Sequence, residues 1–208
     1  MSEEVIVQCC APTLAGIKTG SLFSFQYESK EQMTKELRRY NRILSSSGIC
    51  ILPLRYRNGR ALFYLFRPAS LKADISKREV RELLEQAGYS DLRCGECIRQ
   101  LIRRICEGKS FPHEVGLFLS YPPEDVRGFI ENNAKNYKFV GYWKVYGDEE
   151  GAKKTFTRYK FRSRSAARKG RHFCGYMDEM SGASLKTSDA SSSTSFSGCF
   201  LLRLHSDL

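Results

Sequence analysis

The chain has 208 residues, of which 41% are hydrophobic, including 13 Phe and 11 Tyr. That is enough for one core of ordinary size with residues left over for a tail. Its longest apolar runs, such as Ala61 to Phe66 and Val115 to Leu119, fall far short of the roughly 18 residues of a membrane span. The formal charge of +11 leaves nucleic acid or another anionic partner open, although the cations are spread over many segments instead of forming one stripe.

The acidic start, Met1-Ser2-Glu3-Glu4, does not look like a secretory signal, so a cytoplasmic protein with no membrane partner is expected. In that compartment the eight cysteines are expected to be reduced thiols, with metal or redox use as the next alternatives.

In chain order, Val5-Ile6-Val7 reads as a short buried strand ending at Cys9-Cys10. Pro12 suits a helix start, so Thr13 to Lys18 is read as a turn or a short helix. Leu22, Phe23, Phe25 and Tyr27 form an aromatic-rich stretch whose state is left open. Glu31 to Ser46 is a helix with Met33, Leu37, Tyr40 and Leu44 on one face, closed at Gly48. Ile49 to Tyr56 and Arg60 to Phe66 pair as a hairpin through Asn58-Gly59, and Pro68 ends the second strand.

Ser76 to Ala87 is a helix with a Ser76/Glu79 capping box, stopped by Gly88. Cys94 to Cys106 is another, with Cys97, Leu101 and Ile105 on one stripe. Glu114 to Leu119 reads as a strand. Tyr121-Pro122-Pro123-Glu124-Asp125 opens a helix. Tyr137 to Tyr146 is a strand, and Asp148 caps a final helix carrying Ala152, Phe156 and Tyr159. After Lys160 the pattern fails.

The expected fold is therefore α+β: a mixed, largely antiparallel sheet with a β-hairpin and helices packed on it. The later strand–helix–strand passage would add a parallel crossover. A single domain over residues 1–161 precedes a basic, then Ser-rich, flexible tail over 162–208.

Four constellations could carry chemistry. Cys9-Cys10, if placed at a helix start and near Lys18, would have depressed thiol pKa values suited to a nucleophile, a redox thiol or a soft-metal ligand; the alternative is plain packing. Cys94-Gly95-Glu96-Cys97 is one CxxC where a structural zinc site wants two ligand pairs, and Cys97 lies on an apolar stripe. His113, beside Glu114, is a general base, metal ligand or anion-binding cation, or else a surface hydrogen-bonding residue. The Tyr121 junction offers helix-start amides to an anion, unless Glu124 and Asp125 already fill that end.

On the last strand Lys144 and Tyr146 share a face that could stack on a base. Candidate catalytic residues are thus Cys9, Cys10 and His113, which are also the candidate ligands of a metal ion. Candidate binding residues are Lys18, Glu114, Tyr121, Glu124, Asp125, Lys144 and Tyr146. No P-loop, dinucleotide, zinc-protease or serine-hydrolase motif is present.

Three blocks carry a family resemblance. They are Cys10-Ala11-Pro12-Thr13-Leu14-Ala15-Gly16-Ile17-Lys18; the stretch from Phe111-Pro112-His113-Glu114-Val115-Gly116-Leu117-Phe118-Leu119 through Tyr121-Pro122, Glu124-Asp125-Val126 and Gly128-Phe129-Ile130; and Gly141-Tyr142-Trp143-Lys144-Val145-Tyr146-Gly147-Asp148. In order and spacing, from about Val5 to Tyr159, they resemble the domain-of-unknown-function family three-seven-nine-three of anaerobic Firmicutes. The resemblance implies no activity. Members often place a cysteine just after the final Tyr-containing turn, where this chain has Arg162 and Ser163, and the segment from Ser163 to Leu208 looks foreign to the family.

Two functions compete on this reading. One is a small thiol-dependent redox or metal-handling protein. The other is a nucleic-acid or anionic-partner binding module using Arg38-Arg39, Arg99, Arg103-Arg104 and Arg162 to Arg171. An enzyme acting on a small anionic substrate at the Tyr121 junction is a third.

Overall fold

The computed structural model describes residues 2–108 and 110–169. Expectations that fall on residues 170–208, including the Ser-rich stretch, lie outside the described residues.

The first element is a helix, α1 (Glu3–Leu14), not a strand. Ile6, Val7, Cys10, Ala11 and Leu14 recur with helical spacing and are buried, and Glu3 and Glu4 suit a helix start. A short β-branched run thus yields to the longer period around it. Pro12 lies in the last turn of α1 and does not start a helix. Arg67 holds that end, donating from Nε to Thr13 O (2.8 Å) and from Nη2 to Leu14 O (2.6 Å).

β1 (Gly20–Gln26), β2 (Cys50–Arg57) and β3 (Arg60–Phe66) form an antiparallel sheet in the order β1-β3-β2. The β2–β3 turn has positive φ at Asn58 and Gly59, as the sequence predicts. Pro53 sits at a register shift in β2, an edge strand, where a missing N–H is tolerated.

α2 (Lys30–Ser45) buries Met33, Leu37, Tyr40 and Leu44, again as predicted. After β3, Pro68 opens an unanticipated helix, α3 (Pro68–Ile75). Ser76 therefore belongs to the end of α3, where its hydroxyl donates to Lys72 O (2.8 Å). The predicted capping box does not form, and α4 (Arg78–Gln86) begins two residues later. α5 (Cys94–Glu107) follows.

Residues 115–118 form one helical turn, α6 (Val115–Phe118), in place of the expected strand, so the parallel crossover disappears. Every residue of that turn is buried, and an apolar run buried on all sides has no alternation with which to choose a strand. α7 (Pro123–Glu131) starts where predicted. The predicted strand over 137–146 is only a small hairpin, β4 (Phe139–Val140) with β5 (Lys144–Val145). α8 (Glu149–Lys169) is capped by Asp148, which accepts from Gly151 N (3.0 Å), and it continues past Lys160.

The sheet divides the core. On one face, Leu22, Leu54, Leu62, Tyr64 and Phe66 pack against α3 to α7. On the other, Phe23, Ile51, Ala61, Phe63 and Leu65 pack against α1, α2 and Ala166 of α8. A smaller cluster of Trp143, Val145, Ala152, Phe156 and Tyr159 joins the β4–β5 hairpin to α8. No helix of the described residues is long and apolar enough to cross a membrane.

Candidate functional site

The sheet keeps the two halves of the predicted thiol–histidine site apart. Cys9 and Cys10 lie on α1, packed against one face, while His113 lies beside Phe111 and Val115 on the other. Among the described residues no three His, Cys, Asp or Glu side chains come together as metal ligands. Nor do these cysteines sit at a helix start, since both fall in the middle of α1. Burial pushes the Cys10 thiol well up, with Cys9 adding to the rise and Lys18 opposing it; desolvation also raises Cys9.

The CxxC is similarly inert in geometry. Cys97 is buried and its thiol donates to Asp91 O (3.6 Å); desolvation first, then Cys94 and Asp91, push it up to about 11. All six cysteines among the described residues are free.

The Tyr121 junction is built as a joint. Tyr121 stacks on Trp143 with ring centroids 4.8 Å apart, and Lys18 Nζ stands 5.5 Å from the Tyr121 ring centroid. Asp125 is 2% exposed. It accepts from Trp143 Nε1 (2.6 Å), Tyr146 N (2.7 Å) and Gly147 N (2.8 Å). This carboxylate fastens α7 to the β4–β5 hairpin, while its neighbour Glu124 is exposed and packs on Gly147.

The Lys144–Tyr146 face is also used internally. Lys144 Nζ donates to Ala134 O (2.8 Å) and lies 4.8 Å from the Tyr137 ring centroid. The Tyr146 hydroxyl is buried with no hydrogen-bond partner among the described residues.

His113 and Glu114 border a cleft of ≈ 570 Å³ between the end of α4, the second half of α5, the loop residues 110–114 and α7. His113 and Glu114 form the turn that leads into α6. Glu114 is 3% exposed and receives Arg104 Nε (2.5 Å) and the Tyr89 hydroxyl (3.2 Å). Arg104 also donates to Ala87 O (3.0 Å), tying α4, α5 and the loop together. Burial and Glu114 together hold the Tyr89 hydroxyl protonated far above its usual range. His113 packs edge-on to Phe129, with centroids 5.0 Å apart.

The remaining charges form a pattern that sequence reading missed. On α5 the cleft is lined by Arg103 and, one turn on, Glu107. On α7 it is lined by Arg127 and, one turn on, Glu131. At this spacing an Arg–Glu pair on one helix often bonds to itself, yet among the described residues none of the four is in an ion pair. The signal was present as two i, i+4 Arg–Glu couples, but nothing in the sequence says that the couples face one space. Leu83, Phe111 and Ile130 supply apolar lining.

The family model described as "Protein of unknown function (DUF3793)" matches residues 6–173, a stretch that includes all of the cleft and α8. No curated protein and no solved structure matches the chain.

Proposed function

The chain belongs to that family of unknown function, and on this footing we propose that it binds a small polar ligand in the cleft between α5 and α7. The ligand carries an anionic group beside a cationic one. The observation that carries this reading is the pair of Arg–Glu couples lining the cleft, with Arg103 and Glu107 on α5 and Arg127 and Glu131 on α7. A simple anion would meet the two glutamates as well as the two arginines. A simple cation would meet the arginines. A molecule with both charges satisfies all four side chains, and charge-assisted hydrogen bonds are the strongest available for the purpose. The Arg104–Glu114–Tyr89 network fixes the cleft floor, and His113 adds a group able to donate to the anion.

Calorimetric titration of the full chain with phosphoethanolamine, inorganic phosphate and ethanolamine tests this. Saturable binding is expected for the zwitterion, weaker by on the order of tenfold or more for either half alone. Arg103→Gln with Arg127→Gln should abolish the preference for the zwitterion over ethanolamine. If none of the three binds, or if the double variant binds unchanged, the reading is wrong.

The thiol-dependent reading has less support. Its nucleophile would be Cys9 or Cys10; neither lies at a helix start, and at Cys10 burial outweighs the Lys18 charge that opposes it.

A further inference from the structure

We propose that the exposed side of α8 docks single-stranded nucleic acid. This surface is independent of the cleft and stands on different residues.

α8 uses one stripe to hold the body. Ala152, Phe156, Tyr159, Ser163 and Ala166 are buried at alternating spacings of four and three. Up to residue 166 the opposite side is strongly basic: Lys153, Lys154, Arg158, Lys160, Arg162 and Arg164 are all exposed. Its acids, Glu149 and Glu150, stop at the first turn, where Glu149 pairs with Lys153 (2.6 Å). In the middle of these cations stands Phe161, 66% exposed, the most exposed large apolar side chain of the described residues. Lys154, Arg158, Phe161 and Arg162 fall at helical spacings that place them along one side. From Lys154 to Arg162 this side is about 12 Å long at the helical rise.

The chemistry that fits is a chain of negative charges with flat apolar faces between them. Single-stranded nucleic acid provides phosphates for the cations and a base to stack on Phe161. An anionic membrane would engage a helix through a broad apolar face, and here that stripe is already buried in the fold. An acidic peptide would meet the cations and leave the exposed ring unused.

The test is fluorescence anisotropy of a labelled thymidine oligonucleotide of about 16 nucleotides with the full chain, at several salt concentrations. Saturable binding is expected, falling with salt by about 0.7 log units per log unit for each phosphate engaged. Reversing two charges, Arg158→Glu with Arg162→Glu, should weaken binding by tenfold or more and make the slope shallower by about 1.4. Phe161→Ala should weaken it about tenfold and leave the slope alone. The cleft variant Arg103→Gln with Arg127→Gln should bind as the parent does, so failure of one reading is distinguishable from failure of the other. Thermal melts check that each variant folds, and Arg158→Gln alone replaces the reversal if that one does not.

No binding at low salt overturns the proposal. So does indifference to Phe161→Ala, or equal competition by polyglutamate or by phosphatidylserine vesicles.

Discussion

Asp125 and Tyr146 show how differently two neighbouring polar groups are held. The Asp125 carboxylate takes three donors at 2.6 to 2.8 Å in a buried setting. Asp125→Asn puts an amide against at least one of those donors and removes the charge, so a loss of about 3 kcal/mol is expected in urea unfolding. A change below about 0.5 kcal/mol, the level of an ordinary surface substitution, would deny Asp125 that role. The Tyr146 hydroxyl is buried without a hydrogen-bond partner among the described residues. Tyr146→Phe should therefore be neutral, or stabilising by up to about 1 kcal/mol, and it should leave ligand binding unchanged.

Sequence reading singled out Asp125, Glu114 and Tyr146 but not their roles. Asp125 and Glu124 are adjacent acids in the same first turn, and only the position of Trp143, eighteen residues on, decides which of them turns inward. Glu114 is likewise defined by Arg104 and Tyr89 on other elements.

Among the elements, those with their signals inside one segment were legible. The four-three-four stripe of α2, the Asn58-Gly59 turn and the Asp148 cap all stand as read. The stops at Gly48 and Gly88 do too. Both glycines have positive φ, and at each the next residue's N–H reaches back to the helix, Ile49 to Leu44 O (3.1 Å) and Tyr89 to Leu84 O (2.9 Å). A side chain at Gly88 would meet nothing within 4 Å, so the cost of Gly88→Ala is purely conformational. It should be about 1 kcal/mol in chemical denaturation; a stabilised Gly88→Ala protein would contradict the left-handed cap.

The elements misread were those where burial is complete or where two signals overlap. α1 hides a helical period behind Val5-Ile6-Val7. α6 is apolar on every side. At α3, Pro68 ends a strand and also begins a helix, and the sequence reading used only the first meaning.

At the scale of the molecule, the central sheet decides which candidate residues can cooperate. It sends Cys9 and Cys10 to one face and His113 to the other, a partition that no local pattern encodes because it depends on strand order. The α+β class and the antiparallel pairing were legible from the hairpin; the cleft was not, because its walls are brought together by helices α5 and α7, sixteen residues apart in the chain.

Buried protonated groups also give the whole fold a pH limit. Burial and nearby groups raise Cys97 from 9.0 to about 11, and burial leads the rise of Tyr159 from 10.0 to about 12. A group whose folded pKa is raised adds stability that is complete below its unfolded pKa and is lost as pH climbs through the folded one. The unfolding free energy should therefore decline from about pH 9 toward pH 11 and beyond, and Cys97→Ala should flatten the first part of that decline. A parent protein whose stability holds constant or rises across this window would contradict it.

A doubly charged small ligand in the α5–α7 cleft would bring Arg103 and Arg127 onto one molecule. Nuclear magnetic resonance of the arginine Nε–Hε groups during titration of the full chain with phosphoethanolamine tests this most directly. The Arg103 and Arg127 signals should shift together, saturate at one shared dissociation constant, and do so while Arg158 and Arg162 on α8 stay still. Signals that drift without saturating, or that move on α8 and not in the cleft, would contradict it.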